Sequence, residues 1–181
     1  MRQNSLNTLM VTRNKLRTKQ TGCAVRCSLF LYEVIGMKKI ILTIDSDVIS
    51  RYEEYYFSIH PHAKKKPIPH PYHESINVWM IMKRPMMNAL KQKWKDFIRF
   101  FVEDQGYANL HIEKCEINQI VYYPNNRRHD TDNSVPKFIL DGLVGGGMIV
   151  DDDSEHITKL SLECKTDIEH PRTELHIKIL N

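Results

Sequence analysis

Apolar residues in short or alternating runs predict six β-strands after residue 36. The predicted strands are 37–44, 77–83, 110–116, 117–123, 157–165 and 174–180. The connection between the last two strands contains Pro171 and predicts that they pair as a terminal hairpin. Between residues 45 and 75, prolines and polar residues predict loops and extended backbone.

Apolar residues at helical spacing predict two helices, 85–104 and 135–143, the second ended by the glycines 145–147. The apolar face of the first helix consists of Leu90, Trp94, Phe97 and Phe101. Its basic stripe, which is either a solvated face or a flank for DNA, consists of Lys91, Lys95 and Arg99. Strands and helices are interleaved, and several strands are neighbours in sequence. The fold class is therefore α+β, a single domain at 37–181 with a mixed β-sheet packed against helices.

The net positive charge of the chain comes from its first 36 residues. They hold six basic residues and one acidic residue, whereas residues 37–181 hold 20 basic and 21 acidic residues. The overall net charge of +4 therefore does not indicate a polyanionic partner, and any such partner must be argued from local patches. Residues 1–36 fit a targeting peptide or a basic arm for nucleic acid. We favour a disordered tail or a mis-assigned start, with Met37 as the natural beginning.

Composition excludes several classes of protein. Hydrophobic residues make up 41% of the chain and charged residues 27%, which argues against collagen-like, fully disordered and membrane-embedded chains. No apolar run approaches the roughly 18–20 residues of a membrane-spanning helix. The four cysteines lack zinc-site spacing and are interpreted as reduced thiols in a cytoplasmic protein.

Two groups of aspartates on either side of the second predicted helix indicate a metal site. Asp130 and Asp132 are two apart, and in extended backbone such residues point to the same side. The second group, 151–153, follows about twenty residues later. The helix carries the chain roughly 15 Å away, the glycines permit a reversal, and about five extended residues return it by roughly 16 Å. Carboxylate oxygens suit Mg²⁺ or Mn²⁺. The alternative is that Asp130–Asn133 forms a turn or helix cap and nothing more.

Basic residues near these aspartates are candidate contacts for phosphate groups. Arg127 and Arg128 immediately precede Asp130, and Lys137 lies at the predicted start of the helix. A cationic rim around a carboxylate-held metal is suited to a phosphodiester. The run Lys64, Lys65 and Lys66 is either a solvated face or a further phosphate-contacting loop. His129 is a candidate phosphate or metal ligand, or an exposed bystander.

The segment 129–154 resembles the RusA family of Holliday-junction resolvases. That family carries an Asp-x-Asp-Asn motif, a following Lys, an Asp-x-Leu on the next helix, a Gly-containing turn and an Asp-Asp pair. The matching positions are Asp130, Asp132, Asn133, Lys137, Asp141, Leu143, Gly147, Asp151 and Asp152. The spacing from Asp132 to Lys137 is one residue longer than in the family, because Pro136 stands where the Lys is expected.

The resemblance implies a RusA-like, homodimeric, Mg²⁺-dependent endodeoxyribonuclease, with Mn²⁺ as a possible substitute. Such an enzyme resolves four-way DNA junctions in recombination and repair, in the cytoplasm of a bacterial or phage-infected cell. The resemblance further implies that Asp130, Asp132 and Asp152 hold the metal while water attacks the scissile phosphate. Lys137 then orients or neutralises that phosphate as the fourth catalytic residue.

The resemblance leaves some assignments open. Counting from Asp141 and from Gly147 selects Asp152 as the last ligand, whereas alignment on Ser154 selects Asp153, and Asp151 is a possible additional ligand. Asp141 either pairs with Lys137 or lies in the outer shell of the metal. The rival functions are a junction-binding protein that does not cut, and a metal-dependent nuclease acting on other branched DNA. No membrane contact and no small-molecule cofactor are expected.

Overall fold

The computed structural model describes residues 39–180, which form four strands, four α-helices and one short 3-10 helix. Their order is β1 Lys39–Ile44, α1 Ser46–Ile59, α2 Ile76–Trp79, α3 Arg84–Asp104, β2 Cys115–Tyr123, the 3-10 helix Thr131–Ser134, α4 Lys137–Gly145, β3 Ile157–Thr166 and β4 Arg172–Ile179. The α+β class, the single domain and the mixed sheet are confirmed. The interpretations of residues 1–36 lie outside the described residues.

The four strands form one sheet in the order β1-β4-β2-β3. β4 is antiparallel to both of its neighbours, and β2 and β3 are parallel. The predicted terminal hairpin is therefore wrong, because β2 separates β3 from β4. β3 is reached from β2 through α4, and such a crossover yields parallel neighbours. β4 then fills the position between β1 and β2.

The core lies between one face of the sheet and the helices. Ile40, Leu42 and Ile44 of β1 are buried, whereas Ile41 between them is half exposed. This alternation places every second strand residue against the helices. Trp94, Phe97, Ile98, Phe101 and Val102 supply the buried face of α3, as its helical spacing predicts. Within residues 39–180, no helix combines the length and apolar character needed to cross a membrane.

The region 45–75 contains a helix that the sequence analysis did not predict. α1 begins after Asp45, whose carboxylate accepts a hydrogen bond from the backbone N–H of Val48 at 2.9 Å. This is a standard helix cap. Val48 and Tyr52 are buried against the core, four residues apart on one helical face. The cap and this spacing were the available signals, obscured by the prolines further along.

Two predicted strands are also wrong. Residues 77–83 form the short helix α2 and a turn, because Ser75 caps the helix by accepting from the N–H of Asn77. The predicted pair 110–116 and 117–123 is a single strand, β2, from Cys115 to Tyr123. Asn109 and His111 have positive φ angles of 59° and 48°, which are incompatible with a strand at 110–116.

Candidate active site

α4 and the segment after it bring Asp152 back to the first residue of the helix. The helix begins at Lys137 and ends at Gly145, and Gly147, with a φ of +69°, reverses the chain. The returning backbone places the carboxylate of Asp152 2.9 Å from the ammonium of Lys137. The segment after α4 therefore returns to the first residue of the helix.

Asp141 lies between two lysines one turn further along α4. Its carboxylate is 3.0 Å from the ammonium of Lys91 on α3 and 3.5 Å from that of Lys137. The charges alternate along the series Lys91, Asp141, Lys137 and Asp152. Of the two roles considered for Asp141, the structure therefore contains the ion pair with Lys137.

The protonation state of Lys137 follows from these contacts. Its hydrogen bond to Asp152 is the main cause that raises the pKa of the ammonium above its usual value, and the charge of Asp141 adds to the effect. Partial burial opposes the rise but is the smaller influence. Lys137 is therefore a fixed cation at neutral pH, suited to holding a phosphate and unsuited to accepting a proton.

The three consecutive aspartates have different surroundings. Asp153 accepts hydrogen bonds from the backbone N–H groups of Glu155 and His156, and from the ring of His156 at 2.7 Å. The His156 bond is the main cause that lowers the pKa of Asp153. Asp151 accepts from the backbone N–H of Asp152 at 2.7 Å. Asp153 therefore caps its own turn, and Asp152 is the member that contacts Lys137.

Asp130 and Asp132 lie in a segment that is anchored to the sheet. Ser134, at the end of the 3-10 helix, is buried, and its carbonyl accepts from the side chain of Gln119 on β2 at 2.6 Å. Asn133 accepts from the side chain of Asn77 on α2 at 3.0 Å. The expectation that Asp130 and Asp132 share an extended backbone is wrong, because Asp132 belongs to the 3-10 helix.

The carboxylates of this segment face solvent. Asp130 and Asp132 are both exposed, and the Asp130 side chain is 58% exposed with Arg128 at 3.5 Å. Across residues 39–180, no three His, Cys, Asp or Glu side chains are gathered closely enough to hold a metal ion. The donor chemistry nevertheless fits a hard divalent cation, since Asp130, Asp132 and Asp152 offer only carboxylate oxygens. The exposure of Asp130 leaves its side chain room to change rotamer.

The remaining basic candidates have separate positions. Arg127 and Arg128 are exposed beside Asp130. Lys66 pairs with Glu53 of α1 at 3.1 Å, and Lys64 and Lys65 are exposed next to it. Lys66 is therefore paired with α1, whereas the two arginines lie beside the acidic segment.

His129 is fixed by stacking. Its ring lies parallel to that of Tyr123, with ring centroids 3.6 Å apart and an interplanar angle of 2°. Tyr123 in turn packs on Tyr72, and burial is the main cause that raises its pKa to about 12. His129 is thus half-buried rather than a bystander in solvent, and the stack holds the backbone immediately before Asp130.

Asn77 and Lys91 are two of the contributors to the site that were not assigned to it from the sequence. Asn77, which holds Asn133, lies in a segment predicted to be a strand and therefore had no local signal. Lys91 was part of the predicted basic stripe, and its partner Asp141 on α4 lies fifty residues further along the chain.

No protein-family model matches the chain, and no curated protein matches it in sequence.

Proposed function

We propose that the chain is a RusA-like endonuclease that cuts four-way DNA junctions with Mg²⁺ and works as a homodimer. One observation carries the proposal. The glycine-terminated helix α4 returns Asp152 to Lys137, only five residues beyond Asp132. Asp152 thereby lies against a permanent cation at the start of the helix that follows Asp130 and Asp132 in the chain.

Asp130, Asp132 and Asp152 are the residues that would hold the metal. When bound, Mg²⁺ supplies activation of water and stabilisation of charge on the phosphate. The chain's own contribution is to present oxygen donors on two anchored segments. Ser134 and Asn133 fix the first segment to β2 and α2, and Lys137 orients the side chain of Asp152.

Lys137 would bind the scissile phosphate as a cation. Asp141 holds its ammonium on one side and Asp152 on the other, so the charge is already oriented before DNA arrives. A charge that is already oriented stabilises the transition state more than the charge of a mobile surface lysine does. Arg127 and Arg128, exposed beside Asp130, would contact flanking phosphates, with 64–66 as a further candidate contact.

A homodimer suits this substrate. A four-way junction has two symmetric strands to cut, and a two-fold dimer supplies two identical active sites. Paired cuts would leave nicks that a ligase can seal.

The test is a synthetic four-way junction incubated with the protein in Mg²⁺ and, separately, in chelator. We expect cutting in Mg²⁺ alone, and its loss in the Asp132→Asn variant. Binding of that variant in chelator should be retained or stronger, because the substitution removes repulsion against phosphates. Glu169→Gln, an exposed carboxylate on the β3–β4 turn, is the matched control and should cut normally.

One observation favours the rival, a junction-binding protein that does not cut. Asp152 already has a cation partner in Lys137, which can satisfy the carboxylate without metal. Binding without cutting in both Mg²⁺ and Mn²⁺ would establish this rival. Forks and plain duplex belong in the same panel, since preferential cutting of either would identify a nuclease acting on other DNA.

A further inference from the structure

The turn between α2 and α3, with the helix ends beside it, carries several exposed apolar side chains. Ile81 at its tip is 85% exposed, and three other large apolar side chains within nine residues are also exposed. These four residues are Val78, Met80, Ile81 and Met86. We call the segment 78–86 the α2–α3 tip. Exposed apolar groups gathered in one short segment indicate a contact surface.

The tip belongs to a strongly basic part of the chain. Residues 75–95 contain five basic and no acidic residues, whereas the rest of 39–180 contains 14 basic and 21 acidic residues. Two of the five, Lys83 and Arg84, lie on the tip itself and are exposed. Charge complementarity therefore selects a polyanionic partner for a surface that is also apolar.

The base of the tip is joined to the candidate active site. Asn77 donates its side-chain hydrogen bond to Asn133, the neighbour of Asp132. Trp79 packs on Phe138 of α4, with ring centroids 5.3 Å apart. Lys91 pairs with Asp141 further along α3. A ligand that contacts the tip therefore lies beside the acidic segment.

We propose that the α2–α3 tip packs against base-pair faces exposed at a DNA branch point, while Lys83 and Arg84 contact the flanking phosphates. This inference rests on the proposed function and names the feature of the DNA that the site recognises. Within continuous duplex the base faces are stacked on one another and closed to contact. At a branch the stack is interrupted, and apolar side chains such as Ile and Met can cover the open faces.

A second copy of the chain is a poorer partner for this surface. In a two-fold contact each patch faces its own equivalent. The cations of one tip would then lie opposite the same cations of the other, with no carboxylate in 75–95 to offset them. DNA supplies both the negative charge and the apolar base faces.

The central experiment compares Ile81→Ser with Ile168→Ser. Ile168 lies on the β3–β4 turn and is 63% exposed, so it is a matched exposed isoleucine away from the tip. Binding is measured in chelator, to a four-way junction and to linear duplex of the same sequence. We expect Ile81→Ser to bind the junction roughly tenfold more weakly, as loss of one buried apolar side chain implies. Its duplex affinity, and both affinities of Ile168→Ser, should stay unchanged.

A fluorescent base analogue at the branch point supplies a second readout. The fluorescence of 2-aminopurine depends on what lies against the faces of its ring. Native protein and Ile168→Ser should change its fluorescence, and Ile81→Ser should leave it as in the free junction. Because Ile81 is almost fully exposed, its replacement leaves the folded state intact, and a thermal melt verifies this.

The charged part of the tip is tested by Lys83→Gln combined with Arg84→Gln. Affinity should fall for both DNAs alike, and the slope of log affinity against log salt should become shallower by roughly two. Lys159→Gln, an exposed lysine at the start of β3, is the control and should change neither quantity.

The proposal is overturned if Ile81→Ser binds junction and duplex as the native protein does, or loses both equally. Loss of binding to vesicles of phosphatidylcholine and phosphatidylserine, with DNA binding unchanged, would assign the tip to a membrane surface instead. A dimer that dissociates only in Ile81→Ser would assign it to a second copy. Cutting of the junction is scored separately. If the native protein never cuts, and Ile81→Ser loses the preference for the junction over duplex, the proposed nuclease function is refuted. The proposed role of the α2–α3 tip is then supported.

Discussion

Replacing Gly142 by alanine tests whether α3 and α4 approach as closely as the structure indicates. A Cβ atom at this position would lie 2.5 Å from Cβ and 2.9 Å from Cγ2 of Ile98 on α3. Ordinary carbon–carbon contacts are roughly 3.5–4.0 Å, so the helices must separate by about 1 Å. Ile98 is fully buried, and its own Cβ cannot move aside by a rotamer change.

Two opposing effects decide how much Gly142→Ala changes the free energy of unfolding. Overpacking a well-packed core costs typically about 1–3 kcal/mol. Alanine in place of glycine inside a helix recovers roughly 0.5–1 kcal/mol. We therefore expect Gly142→Ala to lower the free energy of unfolding by roughly 1–2 kcal/mol. Urea denaturation followed by circular dichroism measures this change, with an unaltered m-value as the sign that both states keep their compactness.

Gly145→Ala in the same helix is the matched control. Its Cβ would meet Cε of Lys95 at 2.7 Å, the far end of a flexible side chain that can move away. The free energy of unfolding should stay the same or rise by up to about 0.5 kcal/mol. If Gly142→Ala is as stable as Gly145→Ala, the reasoning about the α3–α4 contact is refuted.

Three further predictions concern single groups. Burial is the main cause that lowers the pKa of His73 below its usual 6.5, so the unfolded chain takes up a proton first. The free energy of unfolding should be highest above about pH 6.5 and should decline as the pH falls towards the pKa of His73 in the folded protein. His73→Asn should make this decline smaller. Urea titrations at several pH values measure it. Asp152→Asn should abolish Mg²⁺-dependent cutting with little loss of stability, whereas Asp153→Asn should lower the melting temperature and retain cutting; the reverse pattern would exchange their roles. Lys137→Gln should slow cutting about 10²-fold with the pH–rate profile unshifted, since its ammonium acts as a charge and not as a base; a displaced profile would contradict this.

The spacing of apolar residues was sufficient to predict an element wherever buried positions recur at regular intervals along the chain. α3 was predicted because its apolar residues recur every three to four positions and face the core. β4 was predicted because Leu175, Ile177 and Ile179 are buried in strict alternation. In each case the local pattern is produced directly by contact with one surface.

The spacing of apolar residues gave a wrong prediction where an apolar run was short. It also gave one where the pairing of a strand depended on strands distant in sequence. Residues 77–83 are apolar without a clear period, and only the Ser75 cap and the packing of Trp79 on Phe138 make α2 a helix. The terminal hairpin was inferred from neighbours in sequence. β4 instead lies between β1 and β2, where it pairs on both sides.

The candidate site, like the fold, was predicted only in part from the sequence. Segment lengths alone indicated that the aspartates 151–153 return towards Asp130 and Asp132, because rise per residue is a local property of helices and extended backbone. The structure returns Asp152 to Lys137. Segment lengths did not distinguish Asp151, Asp152 and Asp153, which are chemically identical neighbours. That distinction depends on hydrogen-bond directions: Asp153 is turned to the backbone of its own loop, and Asp152 to Lys137. Such directions arise only when α3, α4 and the returning segment pack together.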